Sequence, residues 1–309
     1  MNSHAHHEKH EKQGFWLGLL AVTLFALTLP MSKLAIGNAH TPFLSPWFLG
    51  FGRAAVAGIL SAVYLLRQRA QWPRGRQWRL LLLIGIGNAI GFPIFQNLGL
   101  LYVPSSHAAV FNGLLPLATA VIAALILHHK ASWKFWAWAA SGATLVICFA
   151  LWRAYQADSH FSLHSADIFL FLAILLCGFG YAYGALLSRE MPAAQALCWM
   201  LVVFLPLTIP AAMLTMPTQP VPVSAWIGFA YCAVVSMWAG MMIWYYALHI
   251  GGAVRVSQVQ IIQPFLAILF AVPILGERFD WMTLLFAAGV VFTAYQGKKA
   301  SLPSTSTQK

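Results

Sequence analysis

The segment GAVRVSQVQIIQPFLAILF, residues 252–270, carries polar side chains in an apolar run that is long enough to lie in a bilayer. The i, i+3, i+7 spacing places Ser257, Gln260 and Pro264 on one face of a helix, which Gln263 borders. Pro264 has no N–H, so it leaves the carbonyl of Gln260 without its helical partner. We therefore expect this face to turn away from lipid and to line a cavity.

A second segment, residues 101–133, offers the same chemistry. At one constant offset Pro116 falls on Pro264 and Asn112 on Gln260, and Pro116 frees the carbonyl of Asn112 in the same way. The other polar side chains that we assign to this face are Ser106 and His107. Two matching polar faces predict two walls of one cavity.

The third and eighth apolar runs are the other predicted walls, because they also carry polar and aromatic side chains. The candidates are Asn88, Gln96, Asn97, Trp238 and Tyr245. Aromatic rings with polar tips can cover a small organic molecule while each donates one hydrogen bond. Hydrogen bonds between packed helices, worth about 0.6 kcal/mol each, are the alternative for any one of these residues.

Two arginines, Arg53 and Arg255, fall inside predicted spans. A charge at the centre of a lipid-facing helix costs about 2.5–3.5 kcal/mol, and arginine does not deprotonate. An electropositive cavity would satisfy both and would favour a carboxylate-bearing ligand. The alternatives are a structural Arg53 that binds neighbouring carbonyls and an Arg255 that extends to the membrane surface.

All seven acidic residues fall in tails, in loops or at the ends of predicted spans. Many proton-coupled carriers use an acid inside the membrane, and none is expected here. His107 is then the one candidate for a buried titrating group. We expect uniport or exchange, with proton coupling through His107 as the alternative.

The elements that must position these residues are membrane spans, because the chain is 60% hydrophobic and only 8% charged. Ten apolar runs are predicted as helices, at about 15–35, 45–66, 79–100, 104–127, 133–153, 166–187, 194–214, 224–247, 253–275 and 281–297. No cofactor, metal site or nucleic-acid module is expected. The histidine-rich start of the chain misses the H-E-x-x-H spacing by one position.

The positive charges set the expected orientation. With the N-terminus inside, most lysines and arginines fall in cytoplasmic segments, and only Lys33, Arg153 and Arg278 fall on the other side. Both termini are therefore predicted to be cytoplasmic, in a multi-pass protein of the inner or plasma membrane. The protein is expected to be a monomer or a homodimer.

The repeat divides the chain into two halves of five spans each. We predict a disordered tail at 1–14, a first repeat at 15–153, a second repeat at 166–297 and a second cytoplasmic tail at 298–309. Because five is odd, the second repeat must enter the membrane in the opposite sense. Inverted repeats around a central site are typical of secondary transporters.

Several stretches resemble the EamA branch of the drug/metabolite transporter superfamily, over nearly the whole chain. They are SPWFLGFGRAAVAGIL, GLLPLATAVIAALIL, IIQPFLAILFAVPILGERFDW and the glycine-bearing last span of each half. The resemblance implies ten helices in two repeats around a central cavity that alternates its access.

The resemblance also assigns individual positions. It gives Pro116, Pro264 and Arg53 structural or gating roles, and it places the glutamate that closes the fourth span of a repeat at Glu277. The first half has His129 at that place, which departs from the family pattern.

The predicted function is export of a small metabolite that is amino-acid-like or carries a carboxylate. Export of drugs or other toxic compounds is the alternative within the same superfamily. A lipid-interacting membrane protein that transports nothing is the alternative from another class. An enzyme is not expected, because the chain shows neither G-x-S-x-G nor metal-ligand spacing.

Overall fold

A computed structural model describes residues 2–126, 132–158, 165–252 and 256–301, and most of these residues are helical. The helices of the first half are α1 (Asn2–Ala26), α2 (Thr28–Ile36), α3 (Pro46–Arg67), α4 (Arg76–Gly85), α5 (Phe92–Tyr102), α6 (Ser105–Asn112), α7 (Leu115–Ile126) and α8 (Trp133–Asp158). Those of the second half are α9 (Ser165–Leu187), α10 (Ala193–Val203), α11 (Leu205–Leu214), α12 (Val223–Ala230), α13 (Met241–Gly251), α14 (Gln263–Leu275) and α15 (Trp281–Ser301).

Eight helical segments in this part of the chain are long and apolar enough to cross a membrane. They are Lys12–Ile36, Pro46–Arg67, Arg76–Tyr102, Ser105–Ile126, Trp133–Arg153, Ser165–Leu187, Val223–Gly251 and Gln258–Leu275. The pair α10 and α11 bends by 51° and gives a ninth span if it is counted as one. The tenth predicted run forms a shorter apolar helix, Trp281–Gly297. The protein is thus a multi-pass helical membrane protein.

The N-terminal segment differs from the prediction, because α1 begins at Asn2 and not near residue 15. Residues 2–14, which we predicted as a disordered tail, are helical in the structure. Glu8 and Lys12 stand four residues apart, a spacing that supports a helix even where the sequence is polar.

The fourth and ninth spans are each built from two pieces. In the fourth, α6 ends at Asn112 and α7 begins at Leu115. In the ninth, the 3₁₀ segment Ser257–Ile262 precedes α14, which begins at Gln263. Each second piece carries its proline at the second helical position, where no backbone N–H is needed.

The third and eighth spans each contain a π-helical segment, Ile86–Gly91 and Tyr231–Gly240. A π-helix is wider than an α-helix, and such segments are frequent at functional sites. They carry Asn88 and Trp238, two of the predicted site residues.

The close contact between the third span and α9 depends on a glycine. A Cβ added at Gly87 would lie 2.4 Å from the Leu176 carbonyl oxygen and 2.8 Å from the Gly180 nitrogen. Both are backbone atoms of α9, so the two helices would have to separate. We expect Gly87→Ala to destabilise the protein by about 1–3 kcal/mol, measured as a lower thermal unfolding midpoint in detergent.

Gly184→Ala is the matched control, because Gly184 also lies on α9 and has no heavy atom within 4 Å of its added Cβ. An equal unfolding midpoint for the Gly87 and Gly184 variants would show that the contact between the two helices is not tight.

Candidate functional site

Arg53 lies in the N-terminal half of α3 and is only 5% exposed. The helix is held to the second half by Phe48, whose ring stacks on Phe229 at 5.3 Å between centroids and meets Trp226 edge-on. One turn further along, Arg53 faces the π-helical segment of the eighth span, close enough to Cys232 for electrostatic interaction. The arginine is therefore buried between the two halves of the protein.

The guanidinium of Arg53 is incompletely satisfied. Its Nε and Nη1 atoms are buried and have no hydrogen-bond partner among the residues that the structure describes. A buried donor without a partner costs free energy, and arginine remains charged. An anionic group is the partner that would satisfy both the charge and the free N–H groups.

A row of polar contacts joins the first span to the eighth near Arg53. The Thr28 and Ser236 hydroxyls lie 2.7 Å apart, and the Ser32 hydroxyl lies 3.3 Å from the Cys232 sulfur. The Tyr231 hydroxyl donates to the Leu24 carbonyl at 2.9 Å. Sequence analysis missed the first-span members of this row, because isolated Ser and Thr in an apolar run do not show which helix they will contact.

The structure brings Gln96 and Asn112, which belong to two of the predicted walls, into contact. The Asn112 amide donates to the Gln96 side-chain oxygen at 3.1 Å, and Gln96 is only 1% exposed. Asn97 instead donates to the Pro46 carbonyl at 3.5 Å, near the start of α3. Its contact therefore joins two helices of the first half.

Asn88, Trp238 and Tyr245 lie in a region that α9 also borders. Asn88 lies against Gly180, whose added Cβ would be 2.4 Å from the Asn88 oxygen. The Asn88 oxygen and the Trp238 indole nitrogen are buried without a hydrogen-bond partner in the described part of the chain. Half-buried Tyr245 lies near Tyr181 of α9.

Tyr181 is the aromatic residue of this region that sequence analysis missed. It is 39% exposed although it lies well inside a membrane-spanning helix. The aromatic ring with a polar tip that drew attention to Tyr245 was the signal that could have identified Tyr181.

His107, which we predicted as the one buried titrating group, is joined by a second buried titratable side chain, that of Asp167. Asp167 belongs to the first turn of α9, is 4% exposed, and its Oδ1 lies 2.7 Å from His107 Nε2. The sequence showed that Asp167 stands at a span end, but it did not show that another helix would cover that end. His107 therefore has a buried carboxylate partner from the other half of the chain.

Only some of the predicted site residues of the ninth span lie close to the predicted site residues of the other spans. Gln260 and Gln263 are half-buried and Pro264 is buried, whereas Pro116 is exposed. The 3₁₀ segment that begins at Ser257 packs chiefly against α1 and α14. The helix α14 in turn packs against α6 of the fourth span, so the two predicted walls are in contact along part of their length.

Arg255 and His129 lie outside the described residues. A surface cavity of about 420 Å³ lies elsewhere, between the segments 68–77 and 190–195, and no predicted site residue lines it.

Comparison with known proteins bears on both fold and function. The EamA-like transporter family matches this chain twice, over residues 12–152 and 164–295. A protein of Bacillus subtilis (strain 168), named uncharacterized transporter YdeK, is 38% identical over 279 residues, which cover 89% of this chain and 94% of that protein.

Two further similarities are more distant. A probable terminal-alkyne amino-acid exporter of Streptantibioticus cattleyicolor is 24% identical over 268 residues, or 85% of each chain. A solved crystal structure superimposes with a TM-score of 0.58 at 17% identity, over 93% of this chain and 98% of the other, and it supports the fold.

These matches confirm the resemblance that the sequence motifs indicated. The family covers most of the chain in two successive copies, and a relative above 30% identity is matched over nearly its full length. The chain belongs to the EamA-like transporter family of the drug/metabolite transporter superfamily.

Proposed function

We propose that this transporter exports small amino-acid-like or other carboxylate-bearing metabolites by alternating access through a central site. The observation that carries the proposal is the buried Arg53 between the two halves, with two nitrogens, Nε and Nη1, that no described residue satisfies. A guanidinium binds a carboxylate through two parallel hydrogen bonds, so a substrate carboxylate fits this position.

Predicted site residues of the third and eighth spans, together with Tyr181 of α9, support an organic substrate. Trp238, Tyr245 and Tyr181 supply aromatic surface with polar tips, and Asn88 adds an amide. Such a lining covers an apolar side chain while a few polar groups fix its orientation. The printed name of the Streptantibioticus cattleyicolor relative, an amino-acid exporter, agrees with this substrate class.

The architecture that we propose has ten spans in two inverted five-helix repeats, with both termini in the cytoplasm. In support, α7 and α8 of the first half begin at Leu115 and Trp133, and α14 and α15 begin at Gln263 and Trp281. One offset relates both pairs. Repeats of five spans enter a membrane in opposite senses, which suits rocking around a site between them.

Flux in proteoliposomes tests the proposal. Purified protein is reconstituted into vesicles loaded with leucine, phenylalanine, citrate or, as a cationic comparison, tetraphenylphosphonium. We expect saturable counterflow of at least one carboxylate compound and none of the cation. Counterflow of the cation alone would favour a drug exporter, and no saturable flux of any compound would contradict carrier function.

A further inference from the structure

We propose that the first turn of α6 is a gate at one end of the bundle, and that two acids from the second half, Glu277 and Asp167, hold this gate closed. The inference rests on the alternating access proposed above, because only a carrier of that kind must open and close an end. It assigns gating contacts to one turn of helix, residues 105–107.

Glu277 supplies the first contact. Its Oε1 accepts a hydrogen bond from the Ser105 backbone N–H at 2.6 Å, and its Oε2 accepts one from the Ser106 N–H at 3.1 Å. Pro104 precedes α6 and provides no side-chain cap. A carboxylate from the turn after α14 therefore caps a helix of the other half, at the end where the helix dipole favours negative charge.

The turn that carries Glu277 is set by Gly276, which ends α14 in the left-handed region at φ 68°. A left-handed residue at this place reverses the chain just after the helix. Glu277 is thus fixed to the end of the ninth span, and its contact with α6 depends on how the ninth and fourth spans stand relative to each other.

Asp167 supplies the second contact. Its Oδ1 lies 2.7 Å from His107 Nε2, and both side chains are nearly fully buried. The His107 ring stacks on Phe111 at 5.4 Å between centroids and lies 4.9 Å from the Phe149 ring. Because separating a buried pair leaves an uncompensated polar group, this contact favours two discrete positions, made or broken.

The two contacts act on one short piece of helix. α6 ends at Asn112, and the break at Gly113 and Leu114 separates it from α7. At the C-terminal end of α6, away from the first turn that forms the gate, Asn112 donates a hydrogen bond to Gln96. Opening the first turn of α6 would expose this polar pair to the medium.

Other charged groups stand around the same end. Lys33 donates a hydrogen bond to the carbonyl of Leu100 near the end of α5. It also lies close enough to Glu277 for an attractive electrostatic interaction. Arg153 lies 3.7 Å from Asp280, with both side chains about one-third exposed. That second pair also joins the two halves, but it connects α8 with the start of α15, so it serves as the control.

The gate is tested with a reporter that needs no substrate. Asn112→Cys is introduced in a Cys148→Ser background, and sealed right-side-out and inverted vesicles are treated with a membrane-impermeant maleimide. We expect Glu277→Gln and Asp167→Asn each to raise the labelling rate about tenfold from one side of the membrane, since each removes a charge-assisted contact. Arg153→Gln should leave the rate unchanged, and Glu277→Asp should restore it in part.

A reducible crosslink separates gating from misfolding. Bridging Ser106→Cys to Glu277→Cys should stop labelling of the reporter from that side, and reductant should restore it. The same crosslinker between Arg153→Cys and Asp280→Cys should have no effect. Unchanged labelling in both acid variants, or an equal change in Arg153→Gln, would overturn the gate. Because no substrate is used, absence of flux in the proteoliposomes would refute carrier function separately.

Discussion

Replacing Arg53 by glutamine is expected to lower counterflow of the transported carboxylate at least about a hundredfold. Hydrogen bonds to charged groups contribute about 1.5–3 kcal/mol each, and a bidentate pair contains two of them. Every 1.4 kcal/mol is a factor of ten in affinity. The measurement is initial counterflow in proteoliposomes that contain equal amounts of folded protein.

Arg67→Gln is the matched control for this prediction, because Arg67 ends the same helix and is exposed. It should transport normally. Arg53→Lys should retain part of the flux, since a lysine keeps the charge but loses the planar fork that holds a carboxylate.

Thermal unfolding distinguishes a substrate-binding Arg53 from a structural one. A guanidinium with two unsatisfied nitrogens gives the fold little stability, so Arg53→Gln should leave the unfolding midpoint unchanged or raise it. If the midpoint falls sharply while residual transport follows the amount of folded protein, Arg53 is an anchor of the fold and the cationic site is wrong.

Hydropathy, together with the turn-rich or charged segments between apolar runs, predicted the positions of most spans, because a membrane helix must be apolar over about 20 residues. The run predicted from 133 and the run predicted from 281 begin where α8 and α15 begin, each at a tryptophan. The family resemblance was also visible, since it depends on motifs within single spans. The prediction of ten full-length spans does not match the described helices, because the last apolar helix is short and the α10–α11 pair is bent.

Contacts between spans could not be predicted, because they depend on how separate helices pack and not on the sequence of one span. Asp167 stands at a span end in the sequence, and only the packing of α6 against α9 shows that His107 covers it. The pairing of Gln96 with Asn112 could be anticipated as two polar residues of adjacent spans. The position of the 257–262 segment against α1 could not, because hydrophobic periodicity gives the direction of a face but not its partner.

The second large effect is expected from Asn112→Leu and Gln260→Leu, which should each reduce flux about tenfold without lowering expression. Asn112→Leu removes the donor that satisfies the Gln96 oxygen, a group that is almost completely buried. An unsatisfied buried acceptor costs about 1–3 kcal/mol. Gln260→Leu removes the matching amide of the ninth span, and flux and expression are measured for both variants.

The double variant Gln96→Leu/Asn112→Leu decides what the first of these amides does. If the pair only joins two helices, replacing both partners by apolar side chains removes the unsatisfied group, and flux should return toward the wild-type value. If both amides face the substrate, the double variant should transport as poorly as Asn112→Leu alone. Normal transport in both Asn112→Leu and Gln260→Leu would remove these two amides from the site and leave Arg53 with the aromatic residues as its remaining candidates.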